Sequence, residues 1–257
     1  MTATKEPALT PDITSPTIAR KLRRSPFAVV DLYKSAVGKK WVMALTGIML
    51  MGYVFMHMVG NLKMYLGPEE LNHYGEFLRE LLVPILPRTV TLWLLRLGLI
   101  GAFVFHIHAA YSLTVLNRKA RPVGYKSPRD YIAVNWANRT MRWTGIIILL
   151  FLIWHLADLT WGVSFVNGEF ERGYPYENLV ASMQRVPVAI IYVVANLALG
   201  FHLYHGTWSL FQTMGSMSPR FNPRHNPVRK GFAVGFAVLV AGINITFPLA
   251  VQFGIVG

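Results

Sequence analysis

The sequence predicts an all-α fold, an integral membrane bundle of five helices flanked by short interfacial helices. Four observations lead there. Five stretches, at about 41–62, 89–116, 139–163, 187–213 and 231–255, are apolar over the roughly 20 residues a helix needs to cross a bilayer. Apolar residues make up 53% of the 257 and charged ones 14%, with a mean hydropathy of +0.39. The runs are continuously apolar rather than alternating, which argues against a β-barrel. Finally, the connections alternate in charge. Eight Lys/Arg precede the first run, seven lie in 117–142 and four in 214–230, whereas Glu69, Glu70, Glu76 and Glu80 mark one of the other connections and Glu169, Glu171 and Glu177 the other.

That alternation follows the positive-inside rule and predicts a cytoplasmic N-terminus and an outer C-terminus. The net charge of +13 is therefore read as a topology signal rather than a nucleic-acid footprint. With zero cysteines, the chain forms no disulfide and holds no iron–sulfur cluster by its own thiolates. Two parts are expected: a flexible cytoplasmic tail over 1–25, rich in Thr, Pro and basic residues, and a five-helix transmembrane domain over 26–257. No cleavable leader is expected, because the first apolar run starts only near residue 41.

Segment 26–40 reads as an amphipathic helix on the inner surface. Helix 1 then runs outward and carries Gly47, Gly52 and Gly60. Gly52 and Gly60 lie about 80° apart around it, so they bare one side either for helix packing or for a flat cofactor. The stretch GPEELNHYGEFLRELLVPILP spaces Leu71, Tyr74, Phe77, Leu78, Leu81 and Leu82 helically and reads as an interfacial helix on the outer surface, stopped by Pro84 and Pro87. Helix 2 returns inward, helix 3 runs out and helix 4 comes back. A Pro- and Arg-bearing loop leads to helix 5, which has no histidine. No internal repeat is read beyond the histidine placement itself.

Eight histidines are present. His73 and His225 fall in loops and read as surface residues. His57, His106, His108, His155, His202 and His205 fall in the apolar runs, where an ionisable group is costly and marks a functional site. At about 1.5 Å rise per residue, His57 and His155 both lie roughly 24 Å from the inner end of their helices, and His108 and His202 roughly 12 and 16 Å. Two levels result, on the order of 10 Å apart. Two imidazoles at one depth on different helices suit bis-histidine haem ligation. A zinc or copper site would gather its ligands at one depth instead. His106 and His108 stand about 200° apart around helix 2, so both cannot face one iron, and spacing leaves the choice open. In helix 4, His205 lies about 60° from His202 and reads as a secondary partner. Arg96, about 10 Å below the outer surface, is either snorkelling or a haem-propionate counter-ion. Arg139 and Arg142 hold the equivalent place at the inner end of helix 3.

Four blocks then resemble a family. They are SAVGKKWVMALTGIMLMGYVFMHMVGNLKMYLGPEELNHYGEFLRELL, FHIHAAYSL, RWTGIIILLFLIWHL and FHLYHGTWSLFQTMG. Together they resemble the single-chain, five-helix cytochrome b anchor of bacterial succinate dehydrogenases, over about residues 35–255. The resemblance implies two b-type haems (heme b) ligated by His57 with His155 and by His108 with His202, and it selects His108 over His106. It implies a flavoprotein subunit and an iron–sulfur subunit as partners, a quinone (often menaquinone) as electron acceptor, and a place in the bacterial plasma membrane. Quinone needs hydrogen-bond donors and a route to water. Candidates are Ser35, Trp41, Arg139, Arg142 and Thr144 on the inner side, and Arg96, Asp158 and Trp161 on the outer. Two other readings stay open: a cytochrome b subunit of another quinone-linked oxidoreductase, and a haem-free anchor or transporter.

Overall fold

The computed structural model describes residues 28–120, 132–214 and 227–257, with backbone alone at 28–29 and 132–139. The expected tail over 1–25 and His225 lie outside the described residues. Those described form helices and no strand: α1 (Ala28–Lys34), α2 (Ala36–Asn61), α3 (Pro68–Glu80), α4 (Val90–Ala120), α5 (Ile132–Leu156), α6 (Pro175–Gln184), α7 (Val186–Thr213) and α8 (Pro227–Gln252). Five of these are long and apolar enough to cross a membrane: α2 with its 3₁₀ extension to Leu66, α4, α5 from Thr140 to the end of a π-helical turn at Trp161, α7 and α8. The chain is thus a multi-pass, all-α membrane bundle. Many large apolar side chains on these helices face outward, among them Leu45, Leu95, Leu150 and Val238, as a lipid-facing surface requires.

The first interfacial segment differs from expectation. It breaks at Ser35, whose extended backbone (ψ 153°) starts a new helix. The Ser35 hydroxyl accepts from the Gly38 N–H at 2.9 Å and donates to the Leu32 carbonyl at 2.6 Å, an N-cap that satisfies an orphan donor. Residues 36–40 therefore belong to the first span. At the opposite end, α3 stops at Glu80, before the prolines.

α6 was not expected from the sequence. It sits on α3, α7, α8 and the π turn. Asn72 of α3 ties the two surface helices together, donating to Glu177 at 2.9 Å and accepting from the Tyr176 N–H at 3.0 Å. Beneath them lies the larger core cluster, with Met64, Leu71, Leu179, Met183, Val188, Tyr192, Phe247 and Val251 buried. Below, α2 packs along α4, α5 along α7 and α7 along α8. Gly200 lets α7 approach α8 closely, since a Cβ there would stand 2.9 Å from that of Ala241. Among the described residues there is no comparable close packing between α2 and α5, or between α4 and α7. The bundle has two hairpin-like pairs, α2/α4 and α5/α7, joined where Met58 of α2 packs with Leu203 of α7 and Val240 of α8.

Candidate functional site

The helices that carry His57 and His155, α2 and α5, do not pack closely on each other. His57 of α2 meets His155 of α5, with ring centres 5.9 Å apart and planes at 84°. Two imidazoles on opposite sides of one metal ion, each at about 2 Å plus about 1 Å from nitrogen to ring centre, would stand about 6 Å apart. The Tyr53 ring stacks on His57 at 5.5 Å. Arg96 rests its guanidinium over Trp93 at 5.1 Å and lies within electrostatic reach of Tyr53, so a cation is present at the level of this pair.

The structure sets the two histidines of α4 in different surroundings from those the family blocks imply. His108 is exposed and faces away from the bundle, where its Nδ1 meets the Tyr33 hydroxyl at 2.5 Å. His106 turns inward instead. It lies on Gly47, whose missing Cβ would stand 3.5 Å from its ring, and within electrostatic reach of His202. His202 lies in the same way on Gly145, at 3.6 Å. The physical reason is rotational: the two histidines of α4 point to nearly opposite sides, and the face that packs on α2 carries the neighbouring buried Ala102, Ala109 and Leu113. The glycine expectation changes too. Gly60 receives the ring of Tyr74, with a Cβ there 2.6 Å from it, so it serves packing between α2 and α3. Gly47 is the glycine that faces an imidazole.

Three of the four inward histidines, His106, His202 and His155, are held by the nitrogen that would not face a metal. The Thr46 hydroxyl donates to the Val42 carbonyl at 2.6 Å, which leaves its oxygen to accept from Nδ1–H of His106 at 3.2 Å. Thr144 donates to the Thr140 carbonyl at 2.9 Å and accepts from His202 Nδ1 at 3.3 Å. Tyr192 donates to Asp158 Oδ2 at 2.9 Å and accepts from His155 Nδ1 at 3.2 Å. In all three the proton belongs on Nδ1, so Nε2 carries the lone pair, the tautomer a metal-ligating histidine needs. Among the described residues no three His, Asp or Glu gather as an ion-chelating group. A haem, whose ring supplies four nitrogens, needs two, and the residues that fit it are His57 with His155, ring centres 5.9 Å apart, and the inward-facing His106 and His202 over Gly47 and Gly145.

These threonines expose an internal correspondence that the sequence reading missed. Thr46–Gly47–Ile48 and Thr144–Gly145–Ile146 stand 98 residues apart, as do His57 and His155. Phe105–His106 and Phe201–His202 stand 96 apart. α2/α4 and α5/α7 are thus two copies of one pattern, each giving one histidine to each pair. That signal, aligned on the Phe–His dipeptides, selects His106.

The other candidates separate. Ser35 is spent on its cap, and Trp41, Arg142 and Trp161 are exposed. The side chain of Arg139 lies outside those described. Asp158 is wholly buried, unlike the exposed group a surface quinone contact would use. It follows His155 on the π turn Ala157–Trp161 and takes hydrogen bonds from Ser182 at 2.5 Å and from Arg185 at 3.1 Å besides that from Tyr192, the full pairing a buried carboxylate requires. His205 is buried beside Tyr204, ring centres 4.8 Å apart, and is not one of the pair. No family model, curated protein or solved structure matches the chain.

Proposed function

We propose that the chain is the membrane anchor and cytochrome b subunit of a succinate:quinone oxidoreductase in a bacterial plasma membrane, with its N-terminus in the cytoplasm. Its partners are a flavoprotein subunit and an iron–sulfur subunit docked on the cytoplasmic face, and its electron acceptor is a quinone of the menaquinone type. Two haems b are held, one by His57 and His155, the other by His106 and His202, with His106 in the place first given to His108. When bound, haem supplies one-electron redox chemistry at two depths of the bilayer. The chain's own residues do the rest. Thr46, Thr144 and Tyr192 fix the imidazole tautomers, Gly47 and Gly145 let the rings lie flat on their helices, and Arg96 places a cation near the His57 pair.

The observation that carries this reading is the approach of His57 to His155, ring centres 5.9 Å apart, from helices that do not pack closely on each other. It is supported by the four sequence blocks that resemble the family. The test is isolation of the chain from native membranes. The expected result is a complex with a flavoprotein and an iron–sulfur protein whose b-type absorption is reduced by added succinate. A haem-loaded chain recovered with a different dehydrogenase, and unreduced by succinate, refutes the assignment of partner.

A further inference from the structure

The hydrogen-bond chains behind the histidines end differently at the two levels. Behind His106 and His202 each chain runs through a threonine hydroxyl to a neutral backbone carbonyl, of Val42 and Thr140 respectively. Behind His155 it runs through Tyr192 to the carboxylate of Asp158. The two oxygens of that carboxylate are divided. Arg185 takes Oδ1 at 3.1 Å, while Oδ2 accepts from Tyr192 at 2.9 Å and from Ser182 at 2.5 Å. The cation therefore balances the buried charge without occupying the oxygen that faces the tyrosine.

Consecutive hydrogen bonds polarise one another, more so where the dielectric is low. A chain that ends on a carboxylate draws the Nδ1 proton away from the ring more strongly than one that ends on an amide oxygen, and it raises the electron density on Nε2. On an iron ligand, that favours the ferric state.

We infer that Tyr192 and Asp158 are positioning residues that make His155 a more anionic ligand than His106 or His202, and so lower the reduction potential of the haem at the α3–α6 end. This rests on the haem reading above. Asp158 also braces the π turn against α6 and α7, so a bracing role alone must be told apart from tuning.

The experiment is a potentiometric titration of the purified complex, following both α bands, for wild type, Tyr192→Phe, Asp158→Asn and the double variant. His155→Ala first identifies which potential belongs to this level. Tyr192→Phe keeps the ring that packs edge-on against Phe151 at 4.9 Å and removes only the hydroxyl. Each single variant is expected to raise that one potential and leave the other unmoved. The double variant is expected to move no further than Tyr192→Phe alone, because both act along one route. An unchanged potential in haem-loaded Tyr192→Phe overturns the inference, as do equal shifts at both haems or additive shifts in the double variant. Loss of this haem from Tyr192→Phe also overturns it, in favour of bracing alone. A wild-type complex without b-type haem overturns the inference and the haem reading together, whereas every other adverse result leaves the reading standing. Should Asp158→Asn fail to fold, Tyr192→Phe decides alone.

Discussion

Replacing Thr46 or Thr144 with valine isolates what the sequence pattern had concealed. Valine keeps the branched shape but loses the hydroxyl oxygen that accepts from Nδ1 of His106 at 3.2 Å or of His202 at 3.3 Å. The threonines are themselves buried, 8% and 7% exposed, so water does not readily replace the lost acceptor. A buried donor that loses an acceptor costs up to about 1–3 kcal/mol, the Met43 and Met141 carbonyls remaining as partners of His106 and His202. Loss of a group that orients a metal-ligating histidine lowers metal affinity about 10–100-fold, which is the same range. The expectation is that each variant weakens haem binding about 10–100-fold at the His106–His202 level and leaves the His57–His155 level at full occupancy. The assay is haem titration of the purified apo-protein, with the two levels told apart by their reduction potentials. Wild-type affinity at both levels in Thr144→Val, or a loss confined to the His57–His155 level, would refute the assignment of these threonines.

Three further outcomes are expected. His106→Ala removes one haem per chain and His108→Ala removes none, read by haem-to-protein ratio; the reverse result would restore the choice made from the family blocks. Gly162→Ala destabilises the protein by about 2–4 kcal/mol, because the position is left-handed and the new methyl collides with Phe170; an unchanged melting temperature in detergent would contradict it. Glu76 lies outside the spans, and its hydrogen bond from Arg88, then that from Arg79, lowers its pKa below the usual carboxylate value. The ion pairs with Arg88 and Arg79 are therefore intact above the ordinary carboxylate pKa and lost as pH falls through the lowered one. Hydrogen exchange across 76–90 should quicken only in that acidic range, and an unchanged rate there would show that the pairs hold nothing.

The spans were legible because apolar length is a coarse quantity: all five helices fall where hydropathy puts them, within a few residues at most ends. The start of α2 was less so. Segment 26–40 is uniformly amphipathic, and only the Ser35 cap, a matter of one hydroxyl and one backbone angle, divides it. α6 was missed because ten residues inside an acid-rich connection carry little periodic signal, and its stability comes from packing on α3, α7 and α8. That His57 and His155 share a level could be read from rise per residue, but the phase of α4 could not. Two histidines on nearly opposite faces are equivalent until a neighbouring helix fixes which face is inside. The Thr–Gly–Ile and Phe–His correspondence would have broken that tie. The Tyr192–Asp158 chain was beyond reach, since it joins residues 34 positions apart through a π turn that no local propensity announces.

The central claim is that imidazoles from four helices meet in two pairs, each around one haem. Its most direct test is the haem content of the purified chain, from the dithionite-reduced spectrum and the ratio of b-type haem to protein. Two haems per chain, falling to one in His155→Ala and to one in His106→Ala, is the predicted result. A chain without bound porphyrin, or one that keeps both haems in either variant, would contradict it.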